Sequence, residues 1–310
     1  MNKPLISVIM PCYQNAQSLA ASVRSVQAQT EPRWELIAVN DGSTDDTGAV
    51  LEQLAGGEPR MRVITQENGG VSRARNAGIA AAKGEWLFFL DADDLLTEDA
   101  LAHLLSMTGD GMDIVCAAYA MRYIDEGGRE EIHTCADGDL ISILESLIRG
   151  DSALNSMCAR LYRAEMIREH RILTPPGVRV GEDVLFNLDA FRAARAWRIS
   201  DQVIYIYEFG GDSAMTRART DRYLRSKDML EGIGRFLDES GLQTQLFRAH
   251  IDVYLRTLRV DRGRFRAALA FDRCIVRRIC RGVDFGALCA KQKIYYAALT
   301  LLPFSSIMLP

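Results

Sequence analysis

The chain has 310 residues, a hydrophobic fraction of 48%, a charged fraction of 25% and a formal net charge of −4. This is the composition of a globular protein with room for one large domain and an appendage. It excludes a disordered acidic chain and does not suit a nucleic-acid binder. Seven cysteines, at 12, 116, 135, 158, 274, 280 and 289, include no CxxC pair; the pattern argues against a zinc site or disulfide framework and for a reducing compartment.

The N-terminal "MNKPLISVIMPCY" has an apolar stretch but no small-residue cleavage site, which argues against a signal peptide. "LISVIMP" reads as a short buried strand, and "SLAASVRSVQAQT" follows with Leu19, Val23 and Val26 at helical spacing. "WELIAVND" is a second strand, and "TDDTGAVLEQLA" a helix with a Thr or Asp N-cap. "MRVITQ" is a third strand, "SRARNAGIAAAK" a helix stopped at Gly84, and "EWLFFLD" a fourth strand. Strands alternating with helices in this way predict a mainly parallel α/β sheet flanked by helices, in which ligands sit outside the carboxyl ends of the strands. Those ends read "MPCY", "VNDGS", "TQENGG" and "LDADD".

Residues 113–135 read as a strand, a turn at Gly127-Gly128 and a return strand, and 139–170 as helical. "TPPGVRVGEDVLFNLDAFRAA" is a loop feeding a helix, and "WRISDQVIYIYEF" a further strand. Beyond residue 220 the pattern is helical throughout, with Phe247, Ile251, Tyr254, Leu255 and Leu258 on one apolar face. No repeats or low-complexity linkers occur, so this region is expected to pack on the rest of the chain. Between Arg256 and Lys293 there are eleven Lys or Arg against three Asp, a segment charge of about +8. The final "IYYAALTLLPFSSIMLP" is apolar but interrupted by Pro303, so it suits lying on a membrane better than crossing one.

Two of the strand ends carry the chemistry. Asp91, Asp93 and Asp94 repel one another unless a cation sits among them, and magnesium is commonly held by one or two carboxylates plus substrate phosphates. Asp94 reads equally as the cap of a following helix "LLTEDALAHLL". Asp41 ends the second strand before Gly42, where a carboxylate can accept from a base N–H or a ribose hydroxyl. Ser43, Thr44 and Asp45 suit a helix cap at the same place. Of Arg73 and Arg75, which follow the glycines of "ENGG", at least one is a candidate for reaching a phosphate or the base. None of the four histidines (103, 133, 170, 250) lies in a ligand motif.

"SVIMPCYQNAQSLAASVRSVQAQTEPRWELIAVNDGSTDDT" followed by "NGGVSRARNAGIAAAKGEWLFFLDADD" closely resembles the family 2 glycosyltransferases and their GT-A, Rossmann-like nucleotide-sugar-binding fold. The resemblance runs from about residue 5 to 100. It implies a nucleoside pocket lined by Pro11, Tyr13 and Asp41, and a DxD motif at Asp91 and Asp93. In that motif the first aspartate lies near ribose or sugar and the second ligates Mn2+ or Mg2+. The implied donor is a nucleotide-diphospho-sugar, usually a UDP-sugar. "GVRVGEDVLFNLDAF" matches the family's Glu-Asp motif, which implies Asp183 as the base that deprotonates the acceptor hydroxyl, with inversion at the anomeric carbon, and Glu182 as its neighbour in the acceptor pocket. Without the resemblance, both are equally well read as charges favoured by a helix N-terminus.

By the same resemblance, 1–218 is expected to form the catalytic domain, with a nucleotide-sugar half (1–110) and an acceptor half (111–218). Residues 219–310 then form an all-helical C-terminal extension. The QxxRW motif of processive members is absent, which favours transfer of one sugar or a few. "GGDSAMTRA" stands where relatives carry a flexible lid, making Ser213, Met215 and Arg217 candidates for closing it. The implied acceptor is a glycan or a lipid-linked glycan in surface polysaccharide or glycolipid synthesis. The implied location is cytoplasmic, peripheral on the inner face of the cell membrane through the basic region, unless that region packs on the catalytic domain or on a second copy in an oligomer. Two other readings stand beside this one. A catalytically degenerate scaffold is opposed by the joint presence of Asp41, Asp91, Asp93 and Asp183, and a sugar nucleotidyltransferase by the lack of a glycine-rich triphosphate loop with lysine in "MPCYQNAQ".

Overall fold

Short apolar runs without helical period form four strands: β1 (Ile6–Cys12), β2 (Trp34–Asp41), β3 (Met61–Gln66) and β4 (Trp86–Phe89). A computed structural model describes residues 4–150, 153–178, 180–210, 222–260 and 278–301, with backbone alone at 222–227, 255–260, 298 and 301. The four strands are parallel. Cys12 lies beside Asn40, Asp41 beside Gln66, and Ile9 beside Phe89, so their carboxyl ends form one edge. Pro11 is tolerated in a central strand because β4 stops pairing with β1 at Ile9, and beyond that point no neighbour needs the missing N–H.

Crossover helices α1 (Leu19–Gln27), α2 (Thr47–Gly56) and α3 (Val71–Ala81) cover the sheet. α3 sits so close to β1 that a Cβ on Gly78 would lie 2.3 Å from Ile9 Cγ2. It ends earlier than its sequence suggests: Ala82 is already extended, and Gly84 instead passes against β1, where a Cβ would come within 2.6 Å of the Ser7 amide nitrogen.

The second half adds β5 (Leu95–Leu96), α4 (Ala100–Ser106), β6 (Ile114–Tyr123), β7 (Arg129–His133), α5 (Leu140–Arg149), β8 (Arg160–Arg163), α6 (Ala164–Glu169), α7 (Glu182–Ala193) and β9 (Trp197–Phe209). Among the described residues the strands form one mixed sheet in the order β3-β2-β1-β4-β8-β6-β9-β5, with β7 on β6. Two expectations are corrected here. The stretch 139–170 is not continuously helical, because β8 inserts antiparallel between β4 and β6. Its four residues, "RLYR", carry no apolar alternation, since the Arg160 guanidinium is buried by donating to the carbonyls of Ala153, Leu154 and Cys158. Nor does a helix start at Leu95. Leu95 and Leu96 pair with Ile206 and Tyr205 of β9, and α4 begins after Asp99.

The C-terminal region is helical, with α8 (Arg222–Ser240), α9 (Phe247–Val260) and α10 (Ala290–Leu301). Leu230, Ile233, Phe247, Ile251 and Tyr254 are buried in the same core as Ile9 and Phe89 of the sheet and Phe186 of α7. The expected packing of this region on the rest of the chain is thus present. Leu255 and Leu258 of the expected apolar face lie outside the residues whose side chains are described. No described helix is long and apolar enough to cross a membrane.

Candidate active site

Three loops meet at the carboxyl edge of β1, β2 and β3, and side chains rather than backbone join them. Gln14 adopts φ 57°, an uncommon conformation for a non-glycine residue. Its Nε2 donates to Thr44 Oγ1 at 2.9 Å, and its Oε1 accepts the amides of Thr44 and Asp45. The Asn15 amide donates to Thr47 Oγ1 at 2.8 Å, which fixes the loop after β1 on the start of α2. Asp41 is 3% exposed and braces the third loop: Oδ1 accepts from Gln66 Nε2 and the Gly69 amide, Oδ2 from the Gly70 amide. Gly42, at φ +68°, cannot be replaced without strain, because a Cβ would lie 2.7 Å from the Asn68 amide nitrogen. Tyr13 stands 50% exposed beside this frame, and Pro11 lies at its base.

The two candidate arginines separate. Arg73 is exposed and lies over Gly69. Arg75 is 3% exposed and points the other way, into a cluster of carboxylates contributed by distant parts of the chain. Its Nη1 donates to Asp183 Oδ1 at 2.6 Å and to Glu182 Oε1 at 3.3 Å, and its Nη2 to Asp91 Oδ1 at 3.1 Å. One guanidinium therefore holds the first aspartate of "DAD" and the Glu-Asp pair that opens α7. Asp183 Oδ2 also accepts the Met157 amide at 3.2 Å, and its side chain keeps 21% exposure, so one face stays accessible. Burial opposes the charge on Arg75, but Asp183, Asp91 and Glu182 outweigh it and hold the guanidinium firmly protonated.

Asp94 takes a different part from the helix cap that its position in the sequence suggests. It is buried, accepts the Tyr205 hydroxyl on Oδ2 and the Glu208 amide on Oδ1, and so ties the end of β4 to β9. Tyr205 Oη in turn accepts the Asp91 amide at 3.2 Å, which sets the backbone of the acidic turn. Burial, then Asp91 and Asp93, push the Asp94 carboxyl well above the usual range.

Positive charge is in short supply here. Arg75 faces Asp91, Glu182 and Asp183, and Asp93 has no cationic partner among the described residues. Glu182 is pushed up to about 7 by burial and by Asp183, against the pull of Arg75. Asp93, although its residue keeps an exposed surface, is pushed up to about 6 by desolvation of the carboxyl and by Asp91. A divalent cation at Asp93 would relieve this repulsion, so the chemistry of the residues fits one. No described group of three or more His, Cys, Asp or Glu forms a closed ligand set, so substrate oxygens would have to complete the coordination, as hard cations at phosphate sites require.

Several neighbours carry no sequence signal of their own: Gln14, Tyr205, and Cys158, whose Sγ lies 3.9 Å from Asp91 Oδ2. Only tertiary contacts reveal them: exposed Gln14 bridges two loops, and Tyr205 and Cys158 are buried beside Asp91. Ser213, Met215 and Arg217 of the expected lid lie outside the described residues. Of the histidines, His103 Nε2 hydrogen-bonds with Ser200 Oγ, and His250 is buried away from the site.

A family model described as glycosyl transferase family 2 matches residues 7–171, just over half of the chain. EpsH of Bacillus subtilis strain 168 is 28% identical over 260 residues, which cover 82% of this chain and 75% of EpsH. The glycosyltransferase GlyG of Streptococcus pneumoniae is 27% identical over 258 residues, covering 79% and 84%. Among solved structures, residues 1–349 of S. aureus TarS in complex with UDP-GlcNAc superpose with TM-score 0.68 at 20% identity, covering 91% of this chain and 82% of that one. The mannosyltransferase PcManGT of Pyrobaculum calidifontis, in complex with GDP-Man and Mn2+, gives TM-score 0.54 at 17% identity, covering 96% and 85%. The expected GT-A architecture, with helices flanking the sheet and a helical C-terminal region, is the one observed, although the sheet is mixed rather than mainly parallel because β5, β7 and β8 pair antiparallel. The chain belongs to glycosyl transferase family 2.

Proposed function

We propose that the protein is an inverting glycosyltransferase that takes a sugar from a nucleotide-diphospho-sugar, a UDP-sugar in the first instance, and places it on a hydroxyl of a glycan or lipid-linked acceptor. The observation that carries this reading is the convergence of Asp91 with Glu182 and Asp183 on the buried Arg75. It brings a donor-side acid and a candidate base, 92 positions apart in the chain, to one cleft at the ligand edge of the sheet. UDP-GlcNAc and GDP-Man with Mn2+, bound by the two structural neighbours, support the donor class.

In this reading Tyr13 and Pro11 border the nucleoside, Asp41 holds the glycine loop on which the base rests, and Arg73 faces the phosphates. Asp93, with Asp91, holds a Mn2+ or Mg2+ ion, whose charge offsets that of the departing diphosphate. Asp183 accepts the acceptor's hydroxyl proton as the new C–O bond forms on the face opposite the breaking one, which inverts the anomeric carbon. Glu182, with its high proton affinity, shapes the acceptor side beside it. No separate acid is needed, because the diphosphate leaves without protonation.

The helical region supports a peripheral place on an anionic membrane surface. Phe285 and Ile294 are 47% and 69% exposed, Arg281 and Lys291 in the same stretch of chain are exposed as well, and Lys293 Nζ lies 5.5 Å over the Phe285 ring. Sedimentation with liposomes tests this: binding that is unchanged when anionic lipid is withdrawn overturns it.

The donor reading is tested by thermal shift with a panel of nucleotide-sugars, with and without Mn2+, on wild type and Asp93→Ala. A Mn2+-dependent rise in melting temperature with one UDP-sugar, lost in Asp93→Ala, is expected. No shift with any donor refutes the donor class, and an undiminished shift in the variant refutes the metal assignment. The anomeric coupling of the product, read by NMR, decides inversion.

A further inference from the structure

We infer that the face of the β6–β7–β9 hairpin region beyond the acidic turn is a binding row for an extended glycan acceptor, one that engages more than one sugar ring; this rests on the glycosyl-transfer reading above. Tyr119 lies in register with Tyr205 on one side and His133 on the other; two residues on, Met121 lies between Tyr207 and Glu131, and two further, Tyr123 lies between Phe209 and Arg129. In a pleated sheet, alternate residues share a face and registered neighbours project together. Three ranks of side chains, each containing at least one aromatic ring (Tyr207 in the middle rank), therefore leave the site in one direction.

The ring contacts agree with the register. Tyr119 stacks on His133 with centroids 4.9 Å apart and planes at 15°, Tyr123 meets Phe209 edge-on at 5.4 Å, and the Arg129 guanidinium lies 4.1 Å over the Tyr123 ring. The Tyr123 hydroxyl donates to Glu131 Oε2. Tyr119, Tyr123, Tyr207 and Phe209 are half-buried, while Arg129 and Glu131 are exposed. The row begins at the candidate site itself, because the Tyr205 hydroxyl bonds Asp94 and the Asp91 amide. From Tyr205 to Phe209 it runs four residues of strand, about 13 Å.

This alternation of ring faces with charged groups matches a pyranose chain. Each sugar ring has an apolar C–H face, attracted to the electron-rich face of an aromatic ring, and a rim of hydroxyls that a carboxylate or guanidinium can hydrogen-bond. Arg129 and Glu131 pair with each other at 3.8 Å and stay exposed, so a lipid chain laid over them would strip their water and return no hydrogen bond, whereas glycan hydroxyls would return one.

The test uses the full chain with maltohexaose, cellohexaose and N-acetylchitohexaose, followed by saturation-transfer NMR, with each parent monosaccharide as control and UDP as a separate ligand. At least one hexasaccharide is expected to bind at least tenfold more tightly than its monosaccharide. Phe209→Ala and Tyr123→Leu should each weaken it by tenfold or more while leaving UDP affinity unchanged. Absence of hexasaccharide binding in a protein that binds UDP overturns the row, as does equal binding by wild type and both variants. Hexasaccharide binding without UDP binding leaves the row standing and refutes the donor reading instead.

Discussion

Replacing Arg75 by glutamine tests the electrostatic frame of the site directly. The guanidinium is 3% exposed and is paired at 2.6, 3.1 and 3.3 Å to Asp183, Asp91 and Glu182, whose side chains keep only 21%, 26% and 15% of their surface. Removing one partner of a buried ion pair costs about 3–5 kcal/mol, because the opposite charge is left without compensation. Here three carboxylates lose their cation at once. Glu182, already pushed up to about 7, can neutralise itself by taking a proton, which keeps the expected loss near the lower figure. At about 2–4 °C per kcal/mol, the variant should melt roughly 6–12 °C lower at pH 7. The sign of the pH dependence separates this cause from a packing defect. Crowded carboxylates bind protons more tightly folded than unfolded, so the deficit should shrink as pH falls from 7 towards 5 and widen as pH rises. Thermal denaturation of wild type and variant across that range is the assay. A loss below about 0.5 kcal/mol at pH 7, or a deficit independent of pH, would refute the reasoning. Arg75→Lys should recover only part of the loss, since an ammonium cannot span three carboxylates with a planar fork.

Asp183→Asn should retain donor binding, measured by the melting shift, and lose transfer by about 10²–10⁴-fold, the usual worth of a positioned base; normal transfer places the base elsewhere. His250 is buried on α9 and its Nε2 has no hydrogen-bond partner among the described residues. Burial lowers its pKa to about 4, with Asp238 acting against that shift and Arg278 with it. The unfolded chain therefore binds the proton first, and stability is lost as pH falls from about 6.5 to 4, by about 2 kcal/mol at pH 5. In His250→Leu this part of the acid sensitivity should vanish from urea unfolding curves, and an unchanged pH profile would refute it. Gly78→Ala in a free helix would stabilise by about 1 kcal/mol. Here the clash with Ile9, in the centre of the sheet, should reverse the sign to a loss of about 1–3 kcal/mol in the denaturation midpoint.

Much of the first half was legible in the amino-acid order alone. "WELIAVND" and "MRVITQ" are β2 and β3 to the residue: the central β2 carries the apolar run Leu36–Val39 and leaves the core on Asn40 and Asp41, while the edge strand β3 needs only Met61, Val63 and Ile64 before its polar end. The same local logic places Asp41, Asp91 and Asp93 at strand ends, and Glu182 and Asp183 at the start of α7. Local pattern fails where the partner is remote. β5 and β8 are too short to show a period, and exist because β9, β4 and β6 offer them hydrogen bonds. Asp94 looks like a cap until Tyr205, 111 positions later, arrives to bond it. Arg73 and Arg75 are indistinguishable as letters, yet the 3.6-residue turn of α3 sends one to solvent and the other under three carboxylates. The sequence by itself determined which groups could do chemistry and at which edge of the sheet. Only the tertiary structure decided which of them share a charge, because attraction and repulsion depend on distances that chain spacing does not encode.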